Sequence, residues 1–219
     1  MPSEAYARVP ARPASIEPMR RNASTVVVLA GPAPGEVLAA LGRSMNVALI
    51  RPEEGTEGLA AAAGALQRAS RATSPYALVP ADPLAAVAVS WQEMWDVSKQ
   101  EGPAGFEQEA VKALAAWRAG RFELPDYYVV LAREEGPDFH LGPLRSARAN
   151  RVVLVPEQEP AQQAAGVLHA LGSLRHGPWW PGLDEVIEVA RRFYPDSLGE
   201  PDATGPGPAT PEAGRVRAG

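Results

Sequence analysis

The densest set of chemically capable side chains lies in residues 133–150, REEGPDFHLGPLRSARAN. This segment holds Asp138, His140, Arg145, Ser146 and Arg148, and Arg151 follows it. An imidazole serves as acid or base near neutral pH. If 143–150 forms a helical turn, Arg145 and Arg148 share a face, and two guanidiniums there hold a phosphate or carboxylate by bidentate bonds. Gly136-Pro137 and Gly142-Pro143 bracket the histidine with turns that fix it in place. The competing reading is a surface loop whose arginines pair with Glu134, Glu135 and Asp138.

Two further positions belong to the same chemistry. Gly31-Pro32-Ala33-Pro34-Gly35 joins an apolar run to a helical pattern, and helix N-termini attract anions through free N–H groups. The turn matches neither G-x-G-x-x-G nor G-x-x-x-x-G-K-[ST], its prolines lack N–H donors, and no lysine is near. Gly31 and Gly35 are therefore candidate ligand contacts set against a plain strand-to-helix turn. Asp82 follows a short apolar run, where open α/β sheets place ligands. Asp82-Pro83 also reads as a helix cap followed by a proline in the first turn, which accounts for both residues without a ligand. The expected geometry is convergence of His140, Arg145 and Arg148 on one cavity, with Asp82 or the 31–35 turn on its wall.

Other chemistries find no support. His169 and His176 are seven residues apart and lack the i, i+3 or i+4 partner that a helical metal site needs, so no metal is predicted. No G-x-S-x-G elbow occurs. Cysteine is absent, which excludes disulfides and thiolate chemistry. No motif implies a cofactor. The Gly177-Pro178-Trp179-Trp180-Pro181-Gly182 segment is a rigid apolar knob. Trp179 and Trp180 either cover the core or anchor a protein partner.

The elements that must position these groups follow from periodicity. Thr25–Ala30 (TVVVLA), 46–50, Tyr76–Val79, Tyr127–Ala132 (YYVVLA) and 151–155 are short apolar runs of the kind found in strands buried on both faces. Helical patterns fall at 34–43, 57–72, 84–95, 106–117, 160–174 and 183–194. Leu84, Val87, Ala88, Trp91, Met94 and Trp95 form one stripe. Leu168, Leu171 and Leu174 are expected inward on the 160–174 helix, and Leu183, Val186, Ile187, Ala190 and Phe193 on the 183–194 helix. Strands separated by helices predict a three-layer α/β domain: a mainly parallel, Rossmann-like sheet of about five strands, with helices on both faces. Its expected span is 23–198. Residues 1–22 and 199–219 are too poor in apolar side chains to offset the entropy of ordering, and are expected to be disordered.

Composition bounds the function. A net charge of −5 over 219 residues argues against non-specific nucleic-acid binding, which needs clustered positive charge. No apolar run reaches membrane-spanning length and no signal peptide is visible, so a cytoplasmic location is expected. Lysine occurs only at Lys99 and Lys112. With the many alanines, prolines and glycines, this arginine bias points to a GC-rich bacterial genome and makes any single arginine weaker testimony of anion recognition. Two functions remain open. One is a non-catalytic protein working through a protein partner; the other is a protein or enzyme that binds a small anion, nucleotide-like or phosphate-like, through the 133–150 segment.

Overall fold

β-Branched side chains restrict backbone freedom in a way that favours extended chain, and two such runs set the middle of the sheet. They are β1 (Thr25–Ala30) and β4 (Tyr127–Ala132), paired in parallel with Val28 opposite Tyr128. β3 (Tyr76–Val79) flanks β1 on its other side, β2 (Val47–Leu49) lies beyond it, and β5 (Val152–Pro156) flanks β4. The order is β2-β3-β1-β4-β5, with every pair parallel. The computed structural model describes residues 24–95, 102–132 and 138–194. The two ends expected to be disordered, and 133–137 of the polar connection, lie outside these residues.

Alternation along the strands divides the core in two. Val27, Leu29, Val129 and Leu131 face α1 (Gly35–Leu41) and α6 (Pro160–Gly172). Val26, Val28, Tyr128 and Val130 face α2 (Gly58–Ala69), α3 (Ala85–Glu93), α4 (Gly102–Arg118) and α7 (Leu183–Arg191). The connection from β1 to β2 carries its helix on the first face. The next three connections run the opposite way across the sheet and carry theirs on the second. That pairing of direction with face is the one a uniform crossover hand requires. The three-layer parallel architecture expected from the sequence is thus present. Among the described residues, no helix is long and apolar enough to cross a membrane.

Three local expectations change. On α6 the buried face is Ala164, Val167, Ala170 and Leu171, while Leu168 turns outward at 38% exposure. The helix lies so close to the sheet that a Cβ on Gly166 would stand 3.1 Å from the Val155 side chain, so small residues rather than a leucine row take the inner face. Phe193 falls beyond the last turn of α7 and is partly exposed, its ring edge-on to Trp91. The 143–150 helix is one short turn, α5 (Arg145–Ala147), preceded by a π-helical turn over His140–Leu144. Pro143 inside that turn has no N–H to give, and the ladder widens around it: Leu144 N–H reaches the Phe139 carbonyl at 3.0 Å.

The consequence for function lies at the carboxyl ends. β1 leads to one face, while its neighbours β3 and β4 lead to the other. The chain therefore parts on either side of the β1 end, the kind of place where open α/β sheets leave a crevice.

Candidate functional site at the carboxyl edge of the sheet

A cavity of about 920 Å³ occupies that crevice. Four connections build its wall: Gly31 and Pro32 after β1, Pro52, Thr56, Glu57 and Gly58 after β2, Ala81, Asp82 and Ala85 after β3, and Asp138 and His140 after β4. Gly31 has φ +90°, and a Cβ there would collide with the Leu131 carbonyl oxygen, so only glycine lets the β1 turn lie against β4. Gly35 opens α1, a helix of seven residues whose N-cap position is Pro34, and it does not line the cavity.

The polar part of the wall is a buried ionic cluster. His140 Nε2 donates to Asp82 Oδ2 at 2.7 Å, with the two side chains only 8% and 7% exposed. His140 Nδ1 lies 3.7 Å from Asp138 Oδ1, which also accepts the backbone N–H groups of His140 (2.8 Å) and Leu141 (2.9 Å). Burial opposes charge on the imidazole. The Asp82 carboxylate and the hydrogen bonds the ring gives to both aspartates outweigh it, raising the His140 pKa from 6.5 to about 9. Asp138 is pulled the other way: burial would raise it, but its bonds from His140 and Leu141 hold it below the usual aspartate value.

Asp82 closes a turn, as its capping reading expected, and also lines the cavity. Its Oδ1 accepts the Leu84 N–H at 2.9 Å, and its carbonyl accepts the Ala85 N–H, so it closes the turn that starts α3. The helix begins at Ala85 rather than at Pro83. The second carboxylate oxygen is what holds His140.

Tyr128 completes the cluster. Its ring lies 5.6 Å from the His140 ring and it is fully buried. Burial first, and then the Asp82 charge beside it, drive the phenol far above its ordinary pKa. Asp82 is its polar neighbour, and among the described residues no hydrogen bond of good geometry satisfies its hydroxyl. Sequence reasoning missed this residue, although strand alternation sends Tyr127 and Tyr128 to opposite faces and Tyr128 to the face that carries Asp82. It missed the 52–58 loop as well, although that loop leaves a carboxyl end like the others.

The two arginines are not brought to the cavity. Arg145 is exposed on α5, and Arg148 Nε donates to the Trp179 carbonyl at 2.6 Å. The connection descends the second face from the carboxyl edge to the amino edge, and carries them away from His140. At that far edge, Arg151 is buried. It donates to the carbonyls of Gly177 (2.9 Å), Pro178 (3.1 Å) and Asp126 (3.2 Å), and its guanidinium lies 4.8 Å from the ring centres of both Tyr127 and Trp179. The tryptophan pair divides: Trp180 is buried, its indole N–H on the Pro125 carbonyl at 2.6 Å, while Trp179 is 44% exposed.

With both ring nitrogens of His140 facing carboxylates and the ring charged at neutral pH, this cluster is built to hold charge and accept hydrogen bonds. A general base is most effective with a pKa near the working pH, and this imidazolium keeps its proton well above neutrality. Among the described residues, no group of three or more histidine, aspartate or glutamate side chains is placed to hold a metal ion. Comparison with known proteins found no family model, no curated protein and no solved structure that matches the chain.

Proposed function

We propose that this protein binds a small molecule in the carboxyl-edge cavity, with the Asp82–His140–Asp138 cluster as its polar anchor. One observation carries the reading: a charged cluster, more than nine-tenths buried at its Asp82–His140 pair, forms the wall of a cavity at the point where the chain parts around β1. Ligand sites of Rossmann-like sheets occupy this position, and they combine apolar walls with a few convergent polar groups. Leu29, Ala61, Ala88 and Leu131 supply the apolar walls here.

The test is a thermal-shift screen of the full chain against nucleotides, sugar phosphates, carboxylates and amines, since any saturable ligand stabilises the native state. Ala85 is exposed and lines the cavity, so Ala85→Trp narrows it without entering the core. A ligand that binds here loses its shift in Ala85→Trp and keeps it in Arg145→Ala. Hits indifferent to Ala85→Trp, or a blank screen, overturn the proposal.

A second reading, a non-catalytic protein working through a protein partner, draws support from the half-exposed Trp179 ring beside Arg148 and Arg151. Aromatic and arginine side chains dominate binding energy at interfaces. Trp180, held in the core, belongs to the fold in that reading too. On either reading the composition fits a cytoplasmic protein of a GC-rich bacterium.

A further inference from the structure

We infer that the cavity takes a cationic ligand, an amidine, guanidine or amine on an apolar body, received by Asp138 and by the Asp82–His140 pair. The inference rests on the small-molecule reading above and names the chemistry of its ligand. Among the described residues, the ionisable groups on the wall are Glu57, Asp82, Asp138 and His140. Three carboxyl groups stand against one imidazole, and both nitrogens of that imidazole already face two of them. No arginine or lysine of the described chain lines the cavity. An anion would meet uncompensated carboxylates in a partly apolar enclosure, where like charges repel with little screening; a cation would meet them as partners.

The acceptors are also underused. A carboxylate offers about four lone-pair positions. The short contacts of Asp138 all fall on Oδ1, and among the described residues none falls on Oδ2. The Tyr128 hydroxyl is the independent sign that this cluster is incomplete. It is a fully buried polar group near Asp82, behind the residues that line the cavity, and among the described residues it has no hydrogen bond of good geometry. Most buried hydroxyls in native proteins have a partner, and an exception calls for an explanation, of which an absent ion or polar group is one. A planar N–H fork matches a carboxylate edge in bidentate fashion, and the apolar wall accommodates the body behind it.

Calorimetric titration of the full chain at neutral pH with benzamidine, benzoate and inorganic phosphate decides the matter. Benzamidine and benzoate share a ring and differ in the sign of the head group. We expect saturable benzamidine binding, weakened by about tenfold or more in Asp138→Asn, the loss of one charge-assisted bond. We expect it to be abolished in Ala85→Trp, with no binding of benzoate or phosphate. Asn at 138 keeps the oxygen that accepts the two backbone N–H groups. Glu57→Gln, at an exposed lining position after β2, gives a second charge variant that leaves the core untouched. Weaker benzamidine binding in Glu57→Gln supports the inference even where Asp138→Asn fails to fold. Absence of benzamidine binding overturns it, as does binding indifferent to Asp138→Asn, Glu57→Gln and Ala85→Trp. Benzoate or phosphate binding that disappears in Ala85→Trp would overturn the charge inference and leave the cavity reading standing. That reading falls separately, if no class in the thermal-shift screen depends on Ala85.

Discussion

Each edge of the sheet buries one positive charge, and the two edges treat it differently. At the amino edge, Arg151 gives its protons to three backbone carbonyls and lies between the Tyr127 and Trp179 rings. Those partners are neutral and fixed by the fold, and the arginine ties the 177–179 segment to the start of β4 and β5. At the carboxyl edge, His140 is charged because two aspartates make it so, and the cluster borders a cavity with one Asp138 oxygen that has no short contact among the described residues. A buried charge used up by its surroundings is a clamp. One whose surroundings keep spare valence beside an open volume is the wall we propose receives a ligand.

The comparison breaks most visibly if the carboxyl-edge pair can be removed without loss. Asp82→Ala leaves the imidazole buried with only the more distant Asp138, and removing one partner of a buried pair costs about 3–5 kcal/mol. Urea unfolding near neutral pH should show that loss. An unchanged midpoint would mean that the pair is not formed. Arg151→Met comes next, at about 2–4 kcal/mol, because it strands three carbonyls that a charged donor satisfied. It should leave ligand binding at the opposite edge intact, and a loss of binding there would dissolve the distinction between the edges.

The pH dependence sharpens the contrast, since arginine keeps its proton throughout the accessible range and His140 does not. The folded pKa of His140, about 9, stands above its unfolded value of 6.5, so the native state holds the proton more tightly. The stabilisation is complete below the unfolded value, falls as pH rises between the two, and is gone above the folded one. Its full size is about 3 kcal/mol, from the span between the two values. Unfolding free energies measured across that interval should decline in the wild type and stay level in His140→Gln. The smallest effect belongs to Trp179→Ala, about 1 kcal/mol or less, because the ring is half-exposed and Arg151 keeps its carbonyls. A large loss there would make the aromatic face, rather than the carbonyls, the principal partner of the guanidinium.

The layers of this fold were legible because apolar runs and helical stripes report burial, and burial is what a sequence encodes locally. TVVVLA, YYVVLA and the run after Arg151 became neighbouring strands, with the last shifted by a residue or so at its ends. The strand order was not legible, since nothing in a run of valines says which other run it will meet. The site was legible in part. His140 and Asp82 drew notice for their chemistry and their places after strands, and they meet across 58 residues of sequence. Arg145 and Arg148 drew notice on the same grounds and went elsewhere, because Pro143 turned the chain through a π-helical step and sent the remainder down the second face. Tyr128 looked like one more strand residue; only the pairing of β4 with β1 puts its hydroxyl under Asp82.

The most direct test of the carboxyl-edge site is amide chemical-shift mapping of the full-length, nitrogen-15-labelled protein, saturated with the tightest hit of the thermal-shift screen. The account predicts that shifts concentrate at Gly31, Asp82, Ala85 and His140, while the amides of Arg151, Gly177 and Trp179 stay where they are. Shifts gathered at the amino edge, with the carboxyl edge unmoved, would contradict it.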